Sequence, residues 1–175
     1  FIVTDAQVPA FMKNITLANK HGIFIVDHSD IFPLQFKPPF LPTFNSYAIE
    51  LNLHRIKGLS ECFLYIQDDQ FFMNNNTSLD WFYNTTTNTI RHFTVDTSIE
   101  SELNDWTLEA QQGNEKIPPW LSTWLYSHSV FCIKFADSCA KNKEWFFSMH
   151  SPQLYKRSWL YELELLFEKE FNETR

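Results

Sequence analysis

The stretch Phe63-Leu64-Tyr65-Ile66-Gln67-Asp68-Asp69-Gln70-Phe71-Phe72 constrains this chain more than any other. An apolar run of strand character delivers two adjacent carboxylates and then turns apolar again. Like charges on neighbouring residues repel, so the pair adds little to folding. A divalent cation or a shuttled proton would justify it, and a solvated acidic turn at a strand end would also account for it. The rest of the chain has to decide between these readings.

With 175 residues, 44% of them hydrophobic, the chain can build one sizeable core, and one domain is the default expectation. Eighteen Phe against three Gly is a packed composition without low-complexity linkers. A net charge of −7 without a basic run argues against nucleic acid as a partner unless a metal mediates the contact. No uninterrupted apolar window reaches the roughly 18 residues of a bilayer span. The sequence opens on Phe1 inside an apolar run with no signal peptide before it, which reads as an internal fragment.

Asn-x-Ser/Thr sequons at Asn14, Asn75, Asn76, Asn84 and Asn172 favour the secretory pathway. Three of them crowd the stretch 74–89, an expected exposed loop. Cys132 and Cys139 can pair in an oxidising compartment, while Cys62 is expected to be a buried thiol. No cysteine–histidine spacing makes a convincing zinc motif.

Taken in order, residues 1–5 read as a short buried strand ending in Asp5, and residues 8–13 as one or two helical turns. Residues 23–28 read as a second strand ending in Asp27-His28. Pro33, Pro38, Pro39 and Pro42 then predict an irregular loop over 29–42. A helix follows, capped by Thr43 or Asn45 and stopped by Gly58, with Ile49, Leu53 and Ile56 on its apolar face. The opposite face carries Glu50, His54 and Lys57, either as a solvated stripe or as part of a site. Residues 79–83 suggest a helical turn, 90–95 a strand, and Pro118-Pro119-Trp120 the start of a helix to about Ser127, with Trp120 and Trp124 as packing residues. His92 and His128 stand without a partner pattern. Finally, Ser151 as N-cap and Pro152 at the first helical position predict a long helix to about Asn172, marked by Leu160, Leu163, Phe167 and Phe171. His150 just before that helix start would be held neutral by the helix dipole and able to accept a proton.

The order strand, turn, strand, loop, helix, strand predicts an α/β fold with parallel strands. Ligands of open parallel sheets sit beyond the carboxyl ends of the strands. Asp5, Asp27-His28 and Asp68-Asp69 all fall at such ends, which points to one shared site.

Four stretches resemble the Stealth family of sugar-1-phosphate transferases. Three are similar to its second conserved region: residues 1–5; His28-Ser29-Asp30-Ile31-Phe32; and the block from Leu41-Pro42-Thr43-Phe44-Asn45-Ser46 through Glu50, His54-Arg55-Ile56 and Gly58-Leu59-Ser60 to Asp68-Asp69. The fourth, His150-Ser151-Pro152 with Glu162-Leu163 and residues 167–171, resembles the third conserved region. The chain departs from the family at Gln67, where Asn is usual, and at Met73, where Gly is common.

The resemblance implies a mostly parallel, Rossmann-like sheet of the nucleotide-sugar-transferase kind, incomplete at both ends. It divides the chain into a catalytic core over 1–73, a variable insertion over 74–144 and a histidine-bearing segment of the same domain over 145–175. It implies transfer of a hexose-1-phosphate, N-acetylglucosamine-1-phosphate from UDP-N-acetylglucosamine in the usual case, onto a sugar hydroxyl of a glycan or polysaccharide, with release of UMP. The implied catalytic residues are Asp68, Asp69 and His150, with Asp68 and Asp69 binding Mg2+ or Mn2+. The implied substrate-binding residues are His28, Asp30, Asn45, Ser46, Glu50, His54 and Arg55. The family's first conserved region, of Trp-Val-Asp-Gly type, is absent, and its fourth should lie beyond Arg175, so this chain alone is not expected to catalyse. The implied location is the Golgi lumen for a eukaryotic member and the cytoplasm for a bacterial one. A metal-dependent glycosyltransferase releasing UDP and a non-catalytic carbohydrate-binding domain are the competing readings.

Overall fold

A computed structural model describes residues 1–8, 10–12, 14–34, 41–73, 77–98, 101, 119–141, 146–148 and 151–173. In chain order, β1 (Ile2–Thr4) leads through a 3-10 turn (Ala10–Met12) to α1 (Ile15–Lys20), β2 (Ile25–Asp27), α2 (His28–Ile31) and α3 (Ser46–Leu51). A 3-10 turn (Leu53–Arg55) and β3 (Cys62–Tyr65) follow, then a 3-10 turn (Leu79–Trp81), β4 (Tyr83–Asn84), β5 (Thr89–Ile90) and β6 (Thr94–Ser98). The chain closes with α4 (Pro119–Lys134), α5 (Ala136–Lys141), β7 (Phe146–Ser148), β8 (Gln153–Lys156), α6 (Arg157–Leu166) and α7 (Glu168–Glu173). Two compact units divide it: Phe1–Tyr65 with Leu154–Arg175, and Ile66–Gln153.

In the first unit β1 and β2 run parallel, with Val3 opposite Val26 and Thr4 opposite Asp27. Parallel neighbours need a long crossover, and α1 supplies it. Its N-cap is Asn14, whose side-chain oxygen accepts from the Leu17 amide at 3.0 Å. Gly22 then turns the chain back into β2 at φ +75°, a left-handed conformation that costs a residue without Cβ nothing. Val26, Ile31, Phe32, Ala48, Leu53 and Ile56 form the buried core, with Val3, Phe63, Tyr65 and Leu160 packed against it.

The fold is mixed α/β as expected, but each sheet formed by the described residues has two strands. Three local expectations are corrected. First, the loop after β2 begins with the helical turn α2 and ends at a cis Leu41–Pro42 bond. Second, Ser151 and Pro152 do not open a helix. Residues 153–156 form β8, paired with β3, and Tyr155 packs its ring 6.0 Å from Phe63 and 6.1 Å from Tyr65. Burying that aromatic against its cross-strand neighbours outweighs the local Ser-Pro helix signal. The helix begins at Arg157, whose amide donates to the Glu61 carbonyl at 2.7 Å in place of a side-chain cap. Third, Cys62 is exposed, not a buried thiol, because it opens an edge-paired strand whose later residues carry the packing.

In the second unit β4 and β5 form an antiparallel hairpin, turned at Asn88 with φ +54°. The Asn84 side-chain oxygen accepts from the Thr86 and Thr87 amides at 3.0 and 3.2 Å. β6 and β7 pair antiparallel with an irregular register between Thr94 and Ser98, so the strand expected over 90–95 is split between β5 and β6. Phe82 is buried edge-on to Phe93 at 5.8 Å. The helix opened by the double proline runs on to Lys134, past the expected end, and its Leu121 is fully buried. Trp124 is half-buried, while the Trp120 side chain lies outside the described residues. The Cys132–Cys139 disulfide ties α4 to α5. Among the described residues no helix is long and apolar enough to cross a membrane.

Candidate functional site

The acidic end of β2 is built into a cap. The Asp27 carboxylate accepts from the Ser29 amide at 2.7 Å, and the Asp30 carboxylate accepts from the Asp27 amide at 3.3 Å, a reciprocal capping box around α2. The hydrogen bonds from Ser29, side chain then backbone, hold the Asp27 carboxyl below its ordinary value. His28, between them, is buried at 7% exposure, and among the described residues its Nδ1 has no hydrogen-bond partner. A buried polar nitrogen without a partner is costly, and His54 Nδ1 shares that condition among the described residues.

α2 packs on the Leu53–Arg55 turn, which continues from α3. Asn45 caps α3 by accepting from the Ala48 amide at 3.4 Å, and Thr43 steadies the cap by accepting from the Asn45 amide at 3.1 Å. Ser46 is exposed at the first helical position. The helix stops at Leu51 because the Asn52 amide group donates back to the Ala48 carbonyl at 2.8 Å. The tightened turn that follows rotates His54 inward to 9% exposure, so His54 is not part of a solvated stripe, whereas Lys57 is. His54 Nε2 meets the Glu164 carboxylate at 2.9 Å. Arg55 donates from Nη2 to the other oxygen of Glu164 and from Nε to Asn52 at 3.1 Å. Burial first, and the Arg55 charge second, lower the His54 pKa below its ordinary value, although Glu164 pulls the other way. Both effects favour the neutral imidazole. Glu50 lies near Tyr155, whose phenol is pushed up by burial and then by the Glu50 charge.

Asp68 and Asp69 lie near the start of the second unit, which opens at Ile66. β3 ends at Tyr65, and the two carboxylates occupy an exposed turn closed by the Gln70 amide donating to the Gln67 carbonyl at 3.2 Å. Beyond them Phe71, Phe72, Met73, Trp81, Phe82 and Phe93 line a cavity of about 380 Å³. Two adjacent, exposed carboxylates fit a hard divalent cation that takes its remaining ligands from water and substrate phosphates. Among the described residues no third protein ligand groups with them.

The seven expected substrate-binding residues, His28, Asp30, Asn45, Ser46, Glu50, His54 and Arg55, thus all fall in the first unit, and the Asp pair in the second. His150 lies outside the described residues, and with a strand following it the helix-dipole argument for its neutrality no longer applies. His92 is exposed, and His128 lies 3.3 Å from the Cys132 sulfur. Glu164 is the residue that reading the sequence misses. It is one of many acidic residues in the last helices, 110 positions from His54, and no local spacing announces that pairing.

Residues 1–90 match the description Stealth protein CR2, conserved region 2. An exopolysaccharide phosphotransferase of Streptomyces coelicolor is 48% identical over 81 residues, covering 46% of this chain and 13% of that protein. A capsular polysaccharide phosphotransferase of Neisseria meningitidis is 45% identical over 71 residues, 41% of this chain and 18% of its own length. The N-acetylglucosamine-1-phosphotransferase subunits alpha/beta of Mus musculus are 46% identical over 72 residues, 41% of this chain and 5% of that protein. The chain therefore spans a small part of these relatives. The matched region takes in both the His28–Arg55 cluster and the Asp68-Asp69 turn, and with half of its length so matched the chain belongs to the Stealth family.

Proposed function

We propose that this chain is part of an enzyme that moves a hexose-1-phosphate from a nucleotide sugar onto a sugar hydroxyl. The observation that carries the reading is the match over residues 1–90, together with phosphotransferase relatives at 45–48% identity. The acceptor oxygen attacks the sugar-bearing phosphorus, the bridging bond to the nucleoside phosphate breaks, and UMP leaves when the donor is UDP-N-acetylglucosamine. The hydroxyl proton passes to a base.

Asp68 and Asp69 are the residues that would hold Mg2+ or Mn2+, and their exposure leaves room for substrate oxygens. Such a cation supplies charge neutralisation on the pyrophosphate. His150 is proposed as the acid/base. His28, whose Nδ1 has no hydrogen-bond partner among the described residues, is proposed to contact donor, as are Ser46 and Glu50. The caps made by Asp30 and Asn45, and the Glu164 clamp on His54 and Arg55, support a positioning duty for those four side chains. The parallel β1–β2 pair supports a larger Rossmann-like sheet in the whole protein. The Cys132–Cys139 disulfide and the sequons support the secretory pathway, with the Golgi lumen as its compartment.

The test uses the full-length protein with UDP-N-acetylglucosamine and an oligosaccharide acceptor, with nucleotide products separated by anion exchange. UMP appearing in step with a phosphodiester-linked acceptor is the expected result. UDP as the product would replace this reading with a glycosyltransferase, and no acceptor-dependent nucleotide release with any nucleotide sugar would leave a binding domain.

A further inference from the structure

His128 and Cys132 lie four residues apart on α4, so their side chains share one face, and α5 returns Cys139 to the same face. His128 Nε2 is 3.3 Å from the Cys132 sulfur, and the ligand atoms of all three residues lie within 4.8 Å of one another. All three side chains are half-buried. We propose that His128, Cys132 and Cys139 form a zinc-binding site once the Cys132–Cys139 disulfide is reduced.

The geometry is close to what the ion needs. Tetrahedral zinc, bonded at about 2.3 Å to sulfur and about 2.0 Å to nitrogen, sets a nitrogen and a sulfur ligand ~3.6 Å apart and two sulfurs ~3.8 Å apart. The histidine already stands near that separation. The two cysteine Cα atoms, 5.4 Å apart, leave the sulfurs room to part by side-chain rotation. A dithiol reductant gives two electrons and two protons to the disulfide and becomes a disulfide itself. Zn2+ then displaces both thiol protons to solvent and binds two thiolates and the neutral imidazole. Two thiolates and one dication sum to zero, which suits a half-buried site, and water takes the fourth position. The helical hairpin is thus cross-linked in either redox state, by a disulfide where the compartment is oxidising and by zinc where it is reducing. This inference does not rest on the proposed transfer reaction.

The test is metal retention by the protein after reduction with a phosphine and removal of excess zinc, read by dye competition. Cobalt substitution provides a second reading through the thiolate-to-cobalt charge-transfer band. Reduced protein is expected to hold one equivalent and oxidised protein none. His128→Ala should weaken binding by about 100-fold or more, His128→Cys should restore it, and Cys62→Ser should leave it unchanged. Circular dichroism of each reduced variant shows whether the helices persist. No zinc in the reduced, folded protein, or zinc held equally well by folded His128→Ala, would overturn the site. So would loss of binding in Cys62→Ser.

Discussion

The two units use carboxylates in opposite ways. In the first, Glu164 is partly shielded at 24% side-chain exposure and divided between a buried histidine and an arginine. In the second, Asp68 and Asp69 stand exposed in a turn. Water stabilises an exposed carboxylate, whereas a shielded carboxylate must be satisfied by its own protein. Solvent exposure therefore separates the carboxylates of the two units.

The largest expected effect lies on the exposed side. Asp68→Asn in the full-length protein should lower transfer about 100- to 1,000-fold while changing unfolding free energy by less than about 0.5 kcal/mol. A matching fall in stability would erase the contrast between the units. On the shielded side, Glu164→Ala should cost about 1–3 kcal/mol, less than the ~3–5 of a fully buried pair because Arg55 and Glu164 retain some solvent. Glu164→Gln, which can still accept from His54, should cost less. Urea unfolding measures both, and equal stability of wild type and Glu164→Ala would show the clamp to be idle. Asp27→Ala should cost about 1 kcal/mol through the lost cap of α2, with Asp27→Asn near neutral.

The smallest effect is in pH. Burial lowers the folded-state pKa of His54, so the unfolded chain takes up that proton first as pH falls. The His54 contribution is full above the unfolded value of about 6.5 and is lost as pH falls from there through the folded value. The urea midpoint should decline across that window, and His54→Gln should flatten the decline. An unchanged slope in His54→Gln would assign the decline to other groups.

Legibility in the sequence followed the range of the interactions. The β2 run, the Asn45 cap and the Leu79 turn were readable because each depends on neighbours a few residues away, whereas the helix expected to run on to Gly58 stops at Leu51. The Cys132–Cys139 pairing was readable as one option for the same reason. The Ser151-Pro152 helix start failed because a local cap signal competed with a strand partner about 90 positions distant, Cys62–Tyr65, visible only once the chain is folded. His54 was legible as a candidate, but its burial followed from the Asn52 back-bond and the tightening of the next turn, neither of which helical spacing anticipates.

The sequence by itself determined the family, the α/β character and a set of candidate site residues, because motif identity and hydrophobic period are properties of short segments. Only the tertiary structure decided which of those residues are buried and which exposed. Whether a carboxylate or an imidazole is spent on the scaffold depends on groups far away in the chain, such as Glu164, and on the burial they impose.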